Sequence, residues 1–270
     1  MNKTFSPSRF GKYFLHDLVT AKNRFLISGL ILGFMPVIVF AINTLINRLV
    51  TGNWVTYNHL GNQVLSCCIA IFVAGMVFPT KMYGDLTERR AGSAWLLMPA
   101  SSFEKWLSMI LICLLVVPVL LGALLLGSDA ALSAIFPQNY GRSLVYWLFN
   151  VNSLLSDRSG LEIEFNIPLI IFYEWTGAIL PFLLGAIFFK KSKVAKTFLS
   201  LMLLGFVFST LSMLLIGNVN IDMNDMQMAA QSAGVKRLID KLNLLMNAFS
   251  LGYIAVLLGL IFLRIKTLKQ

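Results

Sequence analysis

Leu107–Leu126 reads LSMILICLLVVPVLLGALLL. It carries no charged residue. As a helix it extends about 30 Å, the thickness of a bilayer's hydrocarbon core. The four residues Ser101 to Glu104 (SSFE) stand just before it. Serine and glutamate three apart form a capping box, in which each side chain bonds the other's backbone N–H. The pattern predicts a helix that starts at a defined place and then crosses a membrane.

Five more apolar runs of similar length lie around this one: Phe25–Ile46, Gly61–Phe78, Ile167–Phe189, Thr197–Ile216 and Asn243–Leu263. Pro36, Pro118 and Pro181 fall inside runs and predict kinks, which neighbouring helices accommodate in a membrane. The whole chain is 57% hydrophobic and 13% charged, with a mean hydropathy of +0.78. Soluble domains are nearer ~45–50% apolar and ~25% charged. The expected architecture is therefore all-α and integral to the membrane, a single transmembrane domain over residues 1–270 with six spans. Residues 1–24 are polar and basic, and the apolar run after them is longer than a signal-peptide core of ~7–15 residues. The first span is expected to remain as an anchor.

Residues 6–20 predict an amphipathic helix. Ser6 and Pro7 suit its start. Phe10, Phe14 and Leu18 recur every four residues with Tyr13 beside them, while Arg9, Lys12 and Asp17 take other faces. An aromatic stripe with basic flanks fits a helix lying in the headgroup layer.

The net charge is +10, and its distribution explains it. With the N-terminus inside, Arg48, Arg142, Arg158, Lys236, Arg237 and Lys241 fall outside, and the other sixteen of the 22 Lys and Arg fall inside. Basic residues concentrate on the cytoplasmic side of membrane proteins. Both termini are thus expected in the cytoplasm, and no nucleic-acid partner is implied. The outward segments are 47–60, 127–166 and 217–242. The second holds an apolar patch, Leu144 to Phe149, and an alternating stretch, 161–167, that could be extended. The third is rich in Asn and Asp but lacks the glycine and closing glutamate of a calcium loop. Cys67, Cys68 and Cys113 sit in apolar runs without metal-ligand spacing. No metal or cofactor site is expected.

The polar stretch with most content is Gly84–Trp106, GDLTERRAGSAWLLMPASSFEKW. Glu88, Arg89 and Arg90 offer both signs of charge. Gly92 lets the backbone bend. Ser93–Met98 is long enough for a short helix, with Trp95, Leu96 and Leu97 available as anchors, and Pro99 ends it. A short rigid helix tied to a membrane helix suits docking: a push on one tilts the other. An ordinary positive-inside loop is the plainer alternative.

ERRAGSAWLLMPASSFEKW resembles the cytoplasmic loop of ABC type-2 permeases, the membrane subunits of ATP-binding-cassette exporters. The correspondence runs through Glu88-Arg89-Arg90, Gly92, Ser93–Met98, Pro99 and Lys105. The six-span outline, the amphipathic N-terminal helix and the basic loop Lys190–Lys196 are similar too, whereas the long outer segment 127–166 departs from many members. The resemblance implies a dimeric permease, homo- or heterodimeric, driven by a separate ATPase subunit docked on 84–106 in a bacterial cytoplasmic membrane. The chain has no phosphate-binding G-x-x-x-x-G-K-[ST] loop, so it is not expected to be the enzyme itself. The alternative is a membrane sensor or assembly factor that docks a partner through the same loop without transport. An intramembrane enzyme would need paired ionisable groups at depth, and the predicted spans offer one acidic residue, Glu174. That carboxylate either reaches water near the outer boundary or serves a pathway or an interhelix bond. Ser66, Ser209, Thr210 and Ser212 are small polar residues of the kind found at helix contacts.

Overall fold

The computed structural model describes residues 5–52, 59–87, 92, 95, 97–150, 167–216 and 233–267. Among them the regular elements are all helical: α1 (Pro7–Gly33), α2 (Met35–Thr51), α3 (His59–Tyr83) with a 3-10 turn (Gly84–Thr87), α4 (Ser102–Leu111), a π turn (Ile112–Val116), α5 (Val117–Ile135), α6 (Pro137–Tyr140), α7 (Ile167–Phe188), α8 (Lys193–Ile216) and α9 (Ala233–Thr267). Six helical segments in the described residues are long and apolar enough to cross a membrane. The chain is a multi-pass membrane protein. Many large apolar side chains face outward, among them Leu199, Met202, Leu203, Phe206 and Phe208 on α8. In water such a face would aggregate; in lipid it meets a solvent of its own kind.

The helices run beyond the apolar stretches. The first run does not begin as a separate helix near residue 25. Instead α1 is continuous from Pro7 to Gly33, and the break comes at Phe34. Pro36 is the cause: it has no N–H to give the Leu32 carbonyl, and its ring disfavours the preceding turn. Helix α3 passes Pro79 and ends at Tyr83, so the connection to the third span is shorter than the polar residues suggest. Helix α5 reaches Ile135, which puts Asp129 on a helix and not in an outer loop. Pro181 lies inside the unbroken α7. The alternating stretch at 161–166 and the Asn/Asp-rich 217–232 lie outside the described residues, while Leu144 to Asn150 are helical.

Helix α7 is the hub. It packs against α3, α8 and α9. Ile179, Leu180, Leu183 and Ile187 are buried on it, facing Ala70, Ala74 and Phe78 of α3 and Ile261 and Ile265 of α9. Small residues set the spacing: a Cβ on Gly75 would lie 3.1 Å from that of Ala178. Close backbone approach is how membrane helices gain dispersion energy when lipid supplies no hydrophobic drive. The same device joins α1 to α5. A Cβ on Gly33 would come within 2.5 Å of Leu124, and the Ser128 hydroxyl donates to the Gly33 carbonyl at 2.8 Å. The candidate contact residues Ser66 and Thr210 bond carbonyls of their own helices, and Ser209 and Thr210 are exposed.

The π turn has a local origin. The Val117 N–H reaches back five residues to the Ile112 carbonyl, not four to Cys113. The residue five ahead of Cys113 is Pro118, which cannot donate. The Cys113 carbonyl therefore lacks a helical partner, and the Trp175 indole of α7 donates to it at 3.1 Å.

Candidate functional site

The site is the segment between the 3-10 turn and α4, with the start of α1 that it leans on. The capping box forms as its sequence predicts. The Glu104 N–H donates to the Ser101 hydroxyl at 3.2 Å, and the Ser101 N–H to Glu104 Oε2 at 2.7 Å. Glu104 does more than cap. Its other oxygen accepts from the Ser6 N–H at 3.0 Å. The Arg9 guanidinium straddles the carboxylate, with Nη2 at 2.7 Å from Oε1 and Nε at 2.9 Å from Oε2. The Glu104 side chain is fully buried. One carboxylate thus holds the N-termini of two helices, α1 and α4, and a cation offsets the cost of burying it.

Lys105 points the other way and is also buried, at 1% exposure. Its Nζ donates to the Trp95 carbonyl at 2.6 Å and lies 4.5 Å from the centroid of the Trp95 ring. Trp95 is 8% exposed, and its indole N–H donates to the Tyr13 hydroxyl at 3.1 Å. So Trp95 holds the segment to α1 and α4 from within. Leu97, at 82% exposure, is turned outward. Gly92 is helical and buried. Its role is close approach: a Cβ there would lie 2.6 Å from the Leu86 carbonyl oxygen. The segment leaves at Pro99, where the Ala100 N–H donates to the Met98 carbonyl at 2.8 Å. Glu88, Arg89, Arg90 and Leu96 lie outside the described residues.

Three further sets of ties secure this end of the bundle. Arg24 of α1 pairs with Asp85 at 2.8 Å and donates to the Met82 carbonyl at 3.0 Å. Asp17, on a face of α1 away from the aromatic stripe, accepts from Ser108 at 2.6 Å and Tyr83 at 3.3 Å. Lys193 donates to the Gly84 carbonyl, and Thr87 to that of Phe189 at 3.4 Å. The α7–α8 turn, with Ser192 in the left-handed region, is thereby fastened to the end of α3.

A cleft of about 440 Å³ opens between the first turns of α1 and Met98–Ala100. Lys12 and His16 line it and are exposed, and Arg9 lines it too. It is a basic, partly apolar recess beside Leu97. Glu174 is elsewhere: it is exposed on α7 and stands apart from this cluster.

Sequence reading missed Arg9, Asp17 and Tyr13 as members of the site. The signal available was the odd placement of an Asp on an otherwise aromatic and basic helix. Among the described residues no cluster of His, Cys, Asp or Glu could hold a metal. No family model, curated protein or solved structure matches the chain.

Proposed function

We propose that this chain is the membrane-spanning permease subunit of an ABC exporter, paired with a second permease and driven by a separate ATPase subunit docked on residues 84–106. In this reading both termini face the cytoplasm, residues 7–20 of α1 stand at the cytoplasmic headgroup boundary where the unbroken helix enters the first span, and the membrane is the bacterial cytoplasmic one. The orientation rests on the bias of Lys and Arg. The family assignment rests on the resemblance of residues 88–106.

One observation carries the coupling role. The 92–100 segment is clamped on its inner side, through Trp95, to Tyr13 of α1 and Lys105 of α4, while Leu97 faces out beside a basic cleft. A segment so built has little freedom to yield alone. Force applied at Leu97 passes through the Trp95 indole and the Arg9–Glu104 pair into two helices at once. Rigid-body movement of packed helices is a common way to convert a partner's closure into an altered pathway.

The test is purification of the tagged full chain from its native membrane in mild detergent. The expected result is a co-purifying ATPase, with recovery reduced about tenfold by Leu97→Asp while membrane insertion and thermal stability stay unchanged; that reduction equals about 1.4 kcal/mol of binding. Recovery of a non-hydrolysing partner would replace the exporter reading with the sensor or assembly reading. Undiminished partner recovery from Leu97→Asp would remove Leu97 from the interface.

A further inference from the structure

The polar network above leaves Glu174 unused. It lies seven residues past the start of α7, about 10 Å along the helix at 1.5 Å per residue. An ionisable side chain at that position in an apolar span is costly unless something answers its charge. No described residue donates a hydrogen bond to it or lies in salt-bridge range.

Glu174 stands where two cavities meet. On one side is a groove of about 660 Å³ between α3, α5 and α7. Its walls are almost wholly apolar: Phe72, Leu121, Leu125, Ile171 and Trp175. Gly122 leaves it open, because a Cβ there would touch nothing within 4 Å. On the other side is a smaller recess of about 250 Å³ between α7 and α9. Tyr173, Ser250 and Tyr253, each with a hydroxyl group, are among the residues that line it. Among the described residues Glu174 is the only carboxylate lining either space, and none that lines them is cationic.

We propose that this junction binds a lipid with a primary-ammonium headgroup, the ammonium held by Glu174 and the hydroxyl recess and an acyl chain laid in the groove. The chemistry follows from the lining. A carboxylate and three hydroxyls are all able to accept, so the favoured head is cationic and rich in N–H. Away from Glu174 the groove is lined almost wholly by apolar side chains, so it suits hydrocarbon. A lipid merely surrounding the protein keeps its head at the bilayer surface; this one draws its head toward a carboxylate set on the outward face of an apolar helix. The inference does not depend on the exporter reading, since a non-transporting membrane protein could hold such a lipid equally well.

The experiment uses the full chain in nanodiscs of mixed phosphatidylethanolamine, phosphatidylcholine and phosphatidylglycerol, with retained lipids counted by native mass spectrometry. The expected result is about tenfold preferential retention of phosphatidylethanolamine over phosphatidylcholine. Glu174→Gln is expected to erase the preference, and Gly122→Phe to reduce retention of all three lipids by filling the groove. The headgroup comparison in the unmodified chain stands even if a variant folds poorly. Equal retention of the ethanolamine and choline lipids overturns the proposal, as does a preference that survives Glu174→Gln. Retention of phosphatidylglycerol as strongly as phosphatidylethanolamine would show a polyol head and overturn the ammonium assignment. A dimer whose groove excludes every lipid would give the site to a second copy of the chain instead.

Discussion

The helical run from Ser102 to Ile135 carries a buried carboxylate near each end, and the two are satisfied differently. Glu104 at one end accepts from two backbone N–H groups and from a guanidinium. Asp129 at the other accepts from the Leu144 N–H at 2.6 Å and the Tyr140 hydroxyl at 2.6 Å, with no cation within salt-bridge range among the described residues. Burial, then the bond to Asp129 and its nearby charge, push the Tyr140 hydroxyl well above its usual range. Around Asp129, Gln63 donates to the Tyr140 and Arg142 carbonyls, yet its own Oε1 finds no partner among the described residues. The first end is a fully paired ionic lock joining two helix starts. The second is a neutral-donor cluster that folds a loop back on a helix end. The lesson is that charge pairing is found where two helix starts are joined, and neutral donors where a connection folds back on a helix end.

Substitutions can break this contrast. The largest loss is expected from Trp95→Ala. It empties the space over Lys105, and large-to-small changes at buried aromatics cost ~3–5 kcal/mol. Thermal unfolding in detergent should show it, together with faster proteolysis between residues 84 and 101. An unchanged midpoint would mean the brace contributes nothing to the fold. A middle-sized loss is expected from Tyr140→Phe, which strips one donor from Asp129. An unsatisfied buried group costs about 1–3 kcal/mol, and proteolysis near residues 141–150 should rise while the Trp95 end stays protected. Opening of both ends together would show that the two clusters are one cooperative unit, not two. The smallest loss is expected from Ser101→Ala. An N-cap is worth ~1 kcal/mol, and here the Arg9 pair and the Ser6 N–H continue to hold Glu104. A loss as great as that of Trp95→Ala would place the lock's strength in the cap rather than in the ion pair.

Much of this was legible in the chain, for reasons that particular residues make plain. The capping box at Ser101 and Glu104 involves residues three apart, so local pattern suffices to find it. The six crossings follow from apolar length. Helix ends do not, because hydropathy reports where lipid is and backbone hydrogen bonding decides where a helix stops: α3 continues through Lys81 and Tyr83, and α5 through Asp129. The partner of Glu104 was not legible either. Arg9 is 95 positions away, and nothing in its own neighbourhood distinguishes it from a residue facing headgroups. Trp95 has the look of an outward anchor in the sequence. Only the fold brings Tyr13 and Lys105 to it and leaves Leu97 exposed.

The Pro118 turn carries one last consequence, for how the chain can change over generations. Pro118 and Trp175 lie on different helices, yet the proline creates the need that the indole meets at the Cys113 carbonyl. Loss of the indole while the proline remains strands that carbonyl. Loss of the proline first lets the helix take its carbonyl back and makes the indole's donor dispensable. The two sites therefore have a preferred order of replacement, proline before tryptophan. A lineage that has already changed Trp175 to a residue without a donor should be found to have given up Pro118 as well.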